Sequence, residues 1–290
     1  MDWAEHYDGE QDRERAGFLT RHLHIAASRL DVTPIGDLTF TGETRTVGIH
    51  AQDKTGDVWL RTIIDDPDAR RICRWEGNVE SNAIHGVPKP EVIRWADWHD
   101  PDWHGAGIRL RGEVMTYVPD KPVSDDGDLY ADPGLPDTWW TALRQALTAL
   151  QQHPVPEHDF GWLPEYTAEG VERFFDTHLP MELFTTQVTW TTAHGDLHWV
   201  NITGPRLWLL DWECWRRAPA WYDAATLYCS SLFHPPTAQR IHKLFPELDS
   251  HSGTIAQLAA IIRYLWISED PESPVKLHAL GQTLVQRLLR

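Results

Sequence analysis

Between residues 191 and 215 the chain reads TTAHGDLHWVNITGPRLWLLDWECW, which places His194, Asp196, His198, Asn201, Asp211 and Glu213 close together in sequence. Asn201 follows Asp196 by five positions, and Asp211 comes ten further on, directly after the apolar run LWLL. An acid in a loop, an amide at its far end and a second acid at the end of a returning strand converge on one point. Such a set suits magnesium held by oxygen ligands while another carboxylate faces a hydroxyl nucleophile. Phosphoryl transfer asks little covalent chemistry of a protein, so positioning and metal charge are nearly the whole apparatus. A surface loop has no need of the apolar flanks, and a core strand has no use for the carboxylates.

The elements that must hold this segment are legible as patterns. Residues 10 to 30 carry Phe18, Leu19, Leu23, Ile25 and Leu30 among charges, which predicts a leading helix. From 37 to 64 the texture alternates and is rich in Thr, Val and Ile, with turn signals at Gly42-Glu43 and from Asp53 to Asp57; three antiparallel strands are expected. A helix over about 67 to 84 is closed by Pro88 and Pro90, and two more strands are expected near 92 to 96 and 108 to 118. Beyond a Pro-, Gly- and Asp-rich connection at 119 to 137 the chain turns helical. Helices are expected from Asp137 as cap to Pro154 as stop, and around 168 to 178, 219 to 232, 236 to 245, 254 to 267 and 274 to 289. In this half only 187 to 212 look strand-like. The expected organisation is a β-rich N-terminal lobe over 1–112 with a leading helix, and a hinge with an α-helical C-terminal lobe over 113–290.

Composition limits the partners. The 290 residues include 41% hydrophobic and 11% aromatic side chains, enough for a sizeable core. A formal charge of −17 repels nucleic acid and anionic membranes, and either attracts a cationic substrate or serves solubility alone. No apolar run is long enough to span a bilayer, and MDWAEHYDGEQDRER has no signal-peptide character, so a cytoplasmic location is expected. Cys73, Cys214 and Cys229 lack C-x-x-C spacing, which argues against a disulfide framework or a zinc site.

The motif HGDLHWVN followed by LLDWE, then PAWYDAATLY, resembles the catalytic loop and metal-binding segment of the aminoglycoside phosphotransferase and choline kinase superfamily. The resemblance spans about residues 37 to 232 and implies an α+β, two-lobed, protein-kinase-like fold using ATP or GTP with Mg2+. Carried over by position, Asp196 would orient or deprotonate the acceptor hydroxyl, while Asn201 and Asp211 would hold magnesium. The spacing from Asp to Asn is that of the kinase catalytic loop, where arginine stands at the place of Gly195. His194 and His198 would be scaffold residues of the loop, Asp223 would anchor it from the following helix, and Glu213 would either support the metal site or face substrate.

The N-terminal half resembles the family more loosely. Gly42 to Thr46, including Thr44, would form the loop over the phosphates, and Arg61 in VWLRTI stands where protein kinases have lysine, its fork of donors suited to phosphate. Glu76 is the expected counter-charge of Arg61, with Glu80 one helical turn away as the alternative. Met115 and Tyr117 lie in a hinge-like segment that would bind adenine.

The acceptor is not written in these motifs. Acidic clusters at Asp125, Asp126, Asp128 and Asp132, at Glu157, Asp159, Glu165, Glu169 and Glu172, and at Glu269, Asp270 and Glu272 would suit an aminocyclitol or polyamine-like alcohol, or are a solvated surface. Trp199 and Trp215 flank the catalytic loop as candidates for a substrate wall, among tryptophans that otherwise read as core. Three functions fit: a phosphotransferase acting on a small, cationic hydroxyl compound such as an antibiotic, a Ser/Thr kinase of a precursor peptide, or an inactive kinase-like binding module. The intact Asp196, Asn201 and Asp211 argue against the last.

Overall fold

The computed structural model describes residues 10–41, 45–65, 75–101, 107–154, 164–267 and 273–290. They fall into two compact units, Met1–Asn82 with Pro90–Pro119 and Ala83–Lys89 with Asp120–Arg290. The division thus lies after Pro119 rather than at 112. Residue 113 sits inside a strand whose ladder runs to Met115 with one neighbour and to Thr116 with the other, so the sheet cannot be cut there.

In the first unit, helix α1 (Glu10–Arg29) precedes the short strands β1 (Thr33–Pro34) and β2 (Thr39–Thr41) and the long strands β3 (Thr46–Asp53) and β4 (Gly56–Ile64). After helix α2 (Gly77–Glu80) come β5 (Val92–Asp100) and β6 (Ile108–Thr116). The sheet runs β1-β3-β4-β6-β5 with β2 on β3, and every pair is antiparallel. The β3–β4 turn is closed by Asp53, whose carboxylate accepts from the Thr55 amide at 2.7 Å. The Thr55 hydroxyl and amide, together with Arg94, hold the Asp53 carboxyl down to about 2. Helix α1 lays Phe18, Leu19, Leu23 and Ala26, spaced at helical intervals, with Leu30 just beyond its end, on Val47, Ile49, Leu60, Leu110 and Val114. Gly112 permits the approach, since a Cβ there would stand 2.7 Å from Cβ of Ala26. The helix expected over 67 to 84 is described from residue 75 onward only, where it is the short α2 and a 3-10 turn at Ser81–Ala83.

The second unit contains β7 (Lys121–Pro122), α3 (Asp137–Gln152), α4 (Pro164–Phe175), α5 (Glu182–Thr185), β8 (Trp190–Ala193), β9 (Thr203–Gly204), β10 (Arg216–Pro219), α6 (Tyr222–Cys229), α7 (Pro235–Leu244), α8 (His251–Ile267) and α9 (Ser273–Leu288). Pro136, not Asp137, is the N-cap of α3; Asp137 is already helical and pairs with Arg240 of α7. Helix α8 is buried on all sides from Ser252 to Ile262, which makes it the axis of the unit. Ile255, Leu258, Ile261 and Ile262 join Leu143, Leu147 and Leu150 of α3 and Leu227 of α6 in a single core.

The polar segment is the long loop of a hairpin. β8 and β10 pair antiparallel, Ala193 against Arg216, so residues 194 to 215 leave and return at the same place. The strands expected across 187 to 212 are therefore shorter and farther apart in sequence. Within the loop, β9 pairs with β7, and Leu209 forms only a bridge to Ile202. No helix among the described residues is long and apolar enough to cross a membrane.

Candidate active site

The loop begins where β8 ends, and its first turn is held by a buried acid. Asp223, on the first turn of α6 and 5% exposed, accepts from the His194 amide at 2.8 Å and from the Gly195 amide at 3.0 Å. Burial pushes its carboxyl above the ordinary value, while His194 and the two amide donors pull the other way. The His194 ring is fully buried: Nε2 bonds the Leu210 carbonyl at 2.7 Å, and Nδ1 accepts from the Asp196 amide at 3.3 Å. Those two partners assign the proton to Nε2. His194 thereby ties the start of the loop to its returning arm.

Gly195 has φ +83, and a Cβ there would lie 2.2 Å from the Cys214 carbonyl oxygen and 2.8 Å from Nε of Arg216. Gly195→Ala is expected to cost more than about 2 kcal/mol, combining the left-handed backbone penalty with a clash against main chain. Chemical denaturation measures this, and a loss under about 0.5 kcal/mol would contradict the crowding.

Asp196 points to a cavity of about 120 Å³ lined by Asp196, Leu197, His198, Thr226, Arg263 and Tyr264. Its Oδ1 accepts from Nη2 of Arg263, and Oδ2 stands 3.8 Å from Nε2 of His198. Burial alone would raise its carboxyl, but the Arg263 guanidinium, helped by His198 and His194, brings it below the ordinary value. His198 moves down as well, by burial against the opposing pull of Asp196. Its Nδ1 is buried without a hydrogen-bond partner among the described residues.

Asn201 closes the loop. Its Nδ2 donates to the Asp196 carbonyl at 2.9 Å and lies 3.4 Å from Nε2 of His198, which leaves Oδ1 as the atom available to a cation. The Leu210 amide donates to the Asn201 carbonyl at 2.8 Å, and Asp211 is the next residue along the chain. Asp211 is exposed and has φ +59, between a Leu210 carbonyl that accepts from His194 and a Trp212 indole that donates to the Leu209 carbonyl at 2.8 Å. Among the described residues no cluster of three His, Cys, Asp or Glu side chains can hold a metal. One amide oxygen and one carboxylate fit magnesium that takes its remaining ligands from phosphates and water.

Several expectations are corrected. Trp199, a candidate for the substrate wall, is fully buried, stacked 6.3 Å from Trp139, and donates its indole N–H to Ser231. Trp215 is 6% exposed and edge-on to His153, and Glu213 is 2% exposed, so neither opens to solvent. In the first unit, Glu76 is exposed at the start of α2, whereas the buried Arg61 lies 3.8 Å from Glu113, its cross-strand partner in the β4–β6 ladder. Asn78 donates to the same carboxylate at 3.1 Å. Met115 is buried in β6, and Tyr117 stacks on His50 with centroids 3.9 Å apart. Gly42, Thr44, Glu157, Asp159, Glu269, Asp270, Glu272 and Cys73 lie outside the described residues. Cys214 and Cys229 are buried free thiols.

Sequence reasoning missed Glu113 and Arg263. The signal for Arg263 was a lone arginine inside the apolar helix run AAIIRYLW, since a cation there needs a partner.

No family model and no curated protein sequence matches the chain. Its architecture does have counterparts among solved structures: the described chain has the protein-kinase-like fold, in the form built by small-molecule kinases. The amicoumacin kinase hAmiN, in complex with AMP-PNP, Ca2+ and Ami, matches over 96% of this chain and 96% of its own, at 11% identity and a TM-score of 0.57. The aminoglycoside phosphotransferase APH(4)-Ia matches over 93% and 98%, at 13% identity and a TM-score of 0.57. A putative fructosamine-3-kinase from Haemophilus somnus 129PT matches over 92% and 96%, at 14% identity and a TM-score of 0.51.

Proposed function

We propose that this chain is a phosphotransferase that moves the γ-phosphate of a magnesium-bound nucleotide, ATP or GTP, to a hydroxyl of a small molecule. The observation that carries the reading is the loop in which Asp196 and Asn201 are bonded to each other, with Asp211 directly after the residue that bonds Asn201. The neighbours whose names specify AMP-PNP with Ca2+, or antibiotic acceptors, support the nucleotide, the divalent cation and the acceptor class.

Asp196 acts on the acceptor. Its carboxylate is ionised and held at the cavity wall, where an oxygen can take the hydroxyl hydrogen bond and receive the proton as the acceptor O–P bond forms and the bond from the γ-phosphorus to the bridging oxygen breaks, releasing the nucleoside diphosphate. Asn201 Oδ1 and Asp211 would hold magnesium, which neutralises charge on the transferring phosphoryl group when bound. Arg61, braced by Glu113, is the cation proposed for the phosphates, and Met115 and Tyr117 are proposed for the base. His194 and Asp223 keep the loop in shape and touch no reacting atom. An acidic chain of net charge −17 favours a cationic acceptor.

Calorimetric titration of ATP with and without magnesium, followed by a transfer screen over aminoglycosides, other amino-alcohols and Ser/Thr peptides, tests the reading. Magnesium-dependent binding with transfer to a small alcohol is expected. Asp211→Ala should weaken magnesium-dependent nucleotide binding at least about tenfold; unchanged binding would put the metal elsewhere. Transfer to peptides alone would replace the acceptor class, and absence of nucleotide binding would leave a binding module.

A further inference from the structure

We propose that Arg263, from α8, is the positioning residue of Asp196 and decides which carboxylate oxygen meets the acceptor; this rests on the phosphotransferase reading above. One guanidinium makes two bonds to consecutive residues of the loop. Nη2 donates to Oδ1 of Asp196, and Nη1 donates to the Gly195 carbonyl at 3.0 Å. The planar fork therefore fixes the side chain and the peptide before it as one unit, which a point-like ammonium does not do.

The scaffold behind the fork is packed core. Eleven consecutive residues of α8, from Ser252 to Ile262, are buried, and Arg263 is the next one. A side chain set on the central helix of a packed core holds its geometry better than one carried by a loop. The Arg263 and Asp196 side chains are each 18% exposed, so the pair is shielded yet open on one side. That side is the cavity of about 120 Å³, to which both contribute along with His198, Thr226 and Tyr264.

With Oδ1 held by Arg263, Oδ2 is the oxygen that remains for an acceptor hydroxyl. The arrangement also supplies a cation to Asp196 from within the chain. The reacting end of the acceptor therefore needs no positive charge of its own, and acidic residues elsewhere would select any cationic portion.

The test compares Arg263→Gln and Arg263→Lys with wild type in the full chain, following transfer to whichever acceptor the screen identifies and recording kcat and KM separately. Arg263→Gln is expected to lower kcat about 10- to 100-fold, the scale of a small misplacement of a catalytic group, with KM for nucleotide changed less than about threefold. Arg263→Lys keeps the charge but not the fork, and should recover only part of the loss. Guanidinium ion in the assay should restore part of the rate to Arg263→Gln and none to Arg263→Lys. In an Asp196→Asn background, Arg263→Gln should bring little further loss, because its effect passes through the carboxylate.

Three results would overturn the proposal: wild-type kcat in Arg263→Gln, full recovery in Arg263→Lys, or the same fold-loss with Asp196 already replaced. Should Arg263→Gln not fold, Arg263→Lys decides alone: a loss of kcat that disappears in the Asp196→Asn background supports the fork, and wild-type kcat overturns it. A wild-type chain that binds magnesium nucleotide and transfers phosphate, with kcat indifferent to Arg263, defeats this inference only. A wild-type chain with neither property defeats the phosphotransferase reading, and this inference falls with it.

Discussion

Asp196→Ala is expected to lower phosphoryl transfer by roughly 10²–10⁴-fold, the usual contribution of a positioned acid–base group. Nucleotide affinity should stay within a few-fold of wild type, because the proposed magnesium ligands are Asn201 and Asp211. The Asn201 side chain bonds the Asp196 main-chain carbonyl, which alanine retains, so the amide keeps its place. Alanine also leaves Arg263 without its carboxylate. Since that side chain retains 18% exposure, water reaches the guanidinium and moderates the penalty. Steady-state kinetics beside a calorimetric nucleotide titration separate the two effects. A variant with near-normal kcat would remove Asp196 from the chemistry, and one that lost nucleotide binding as well would show that the carboxylate serves the metal instead.

The second large effect is on stability. Asp223→Ala should destabilise the second unit by roughly 2–6 kcal/mol, because two buried amides, of His194 and Gly195, lose their acceptor at about 1–3 kcal/mol each. That is a sizeable part of a typical folding free energy of about 5–15 kcal/mol. Asp223→Asn should fall between, since its single carbonyl oxygen can serve only one of the two amides well. Urea denaturation with the midpoint and slope both recorded gives the number. A cost below about 1 kcal/mol would mean that water or a rearranged loop satisfies the amides, and the anchoring role would be lost.

Much of this arrangement is legible in the sequence, for a physical reason that also marks its limit. The leading helix and the strands from 39 to 64 follow from local periodicity, and the Asp53 turn carries its own closing hydrogen bond. Asp196, Asn201 and Asp211 share one loop, so their proximity needs no long-range packing to foresee. What stayed hidden depends on register and tertiary contact. Arg61 meets Glu113 because β4 and β6 pair in one particular register, whereas the expectation of Glu76 rests on its place along the chain, which carries no register. Trp199 next to the catalytic loop looks like a substrate wall in sequence, yet its neighbours in space are Trp139 and Ser231. Arg263 lies 67 positions from Asp196 and is joined to it only when α8 packs against the loop.

The crowding at Gly195 has a consequence for how portable this machinery is. In the protein-kinase catalytic loop an arginine stands at the place of Gly195. Here that position admits no side chain, and the cation that meets the aspartate arrives from the central helix α8. Residues 191 to 215 spliced into another framework would bring the acid and leave its balance behind. The loop is thus not a cassette but one half of a device whose other half is the core itself.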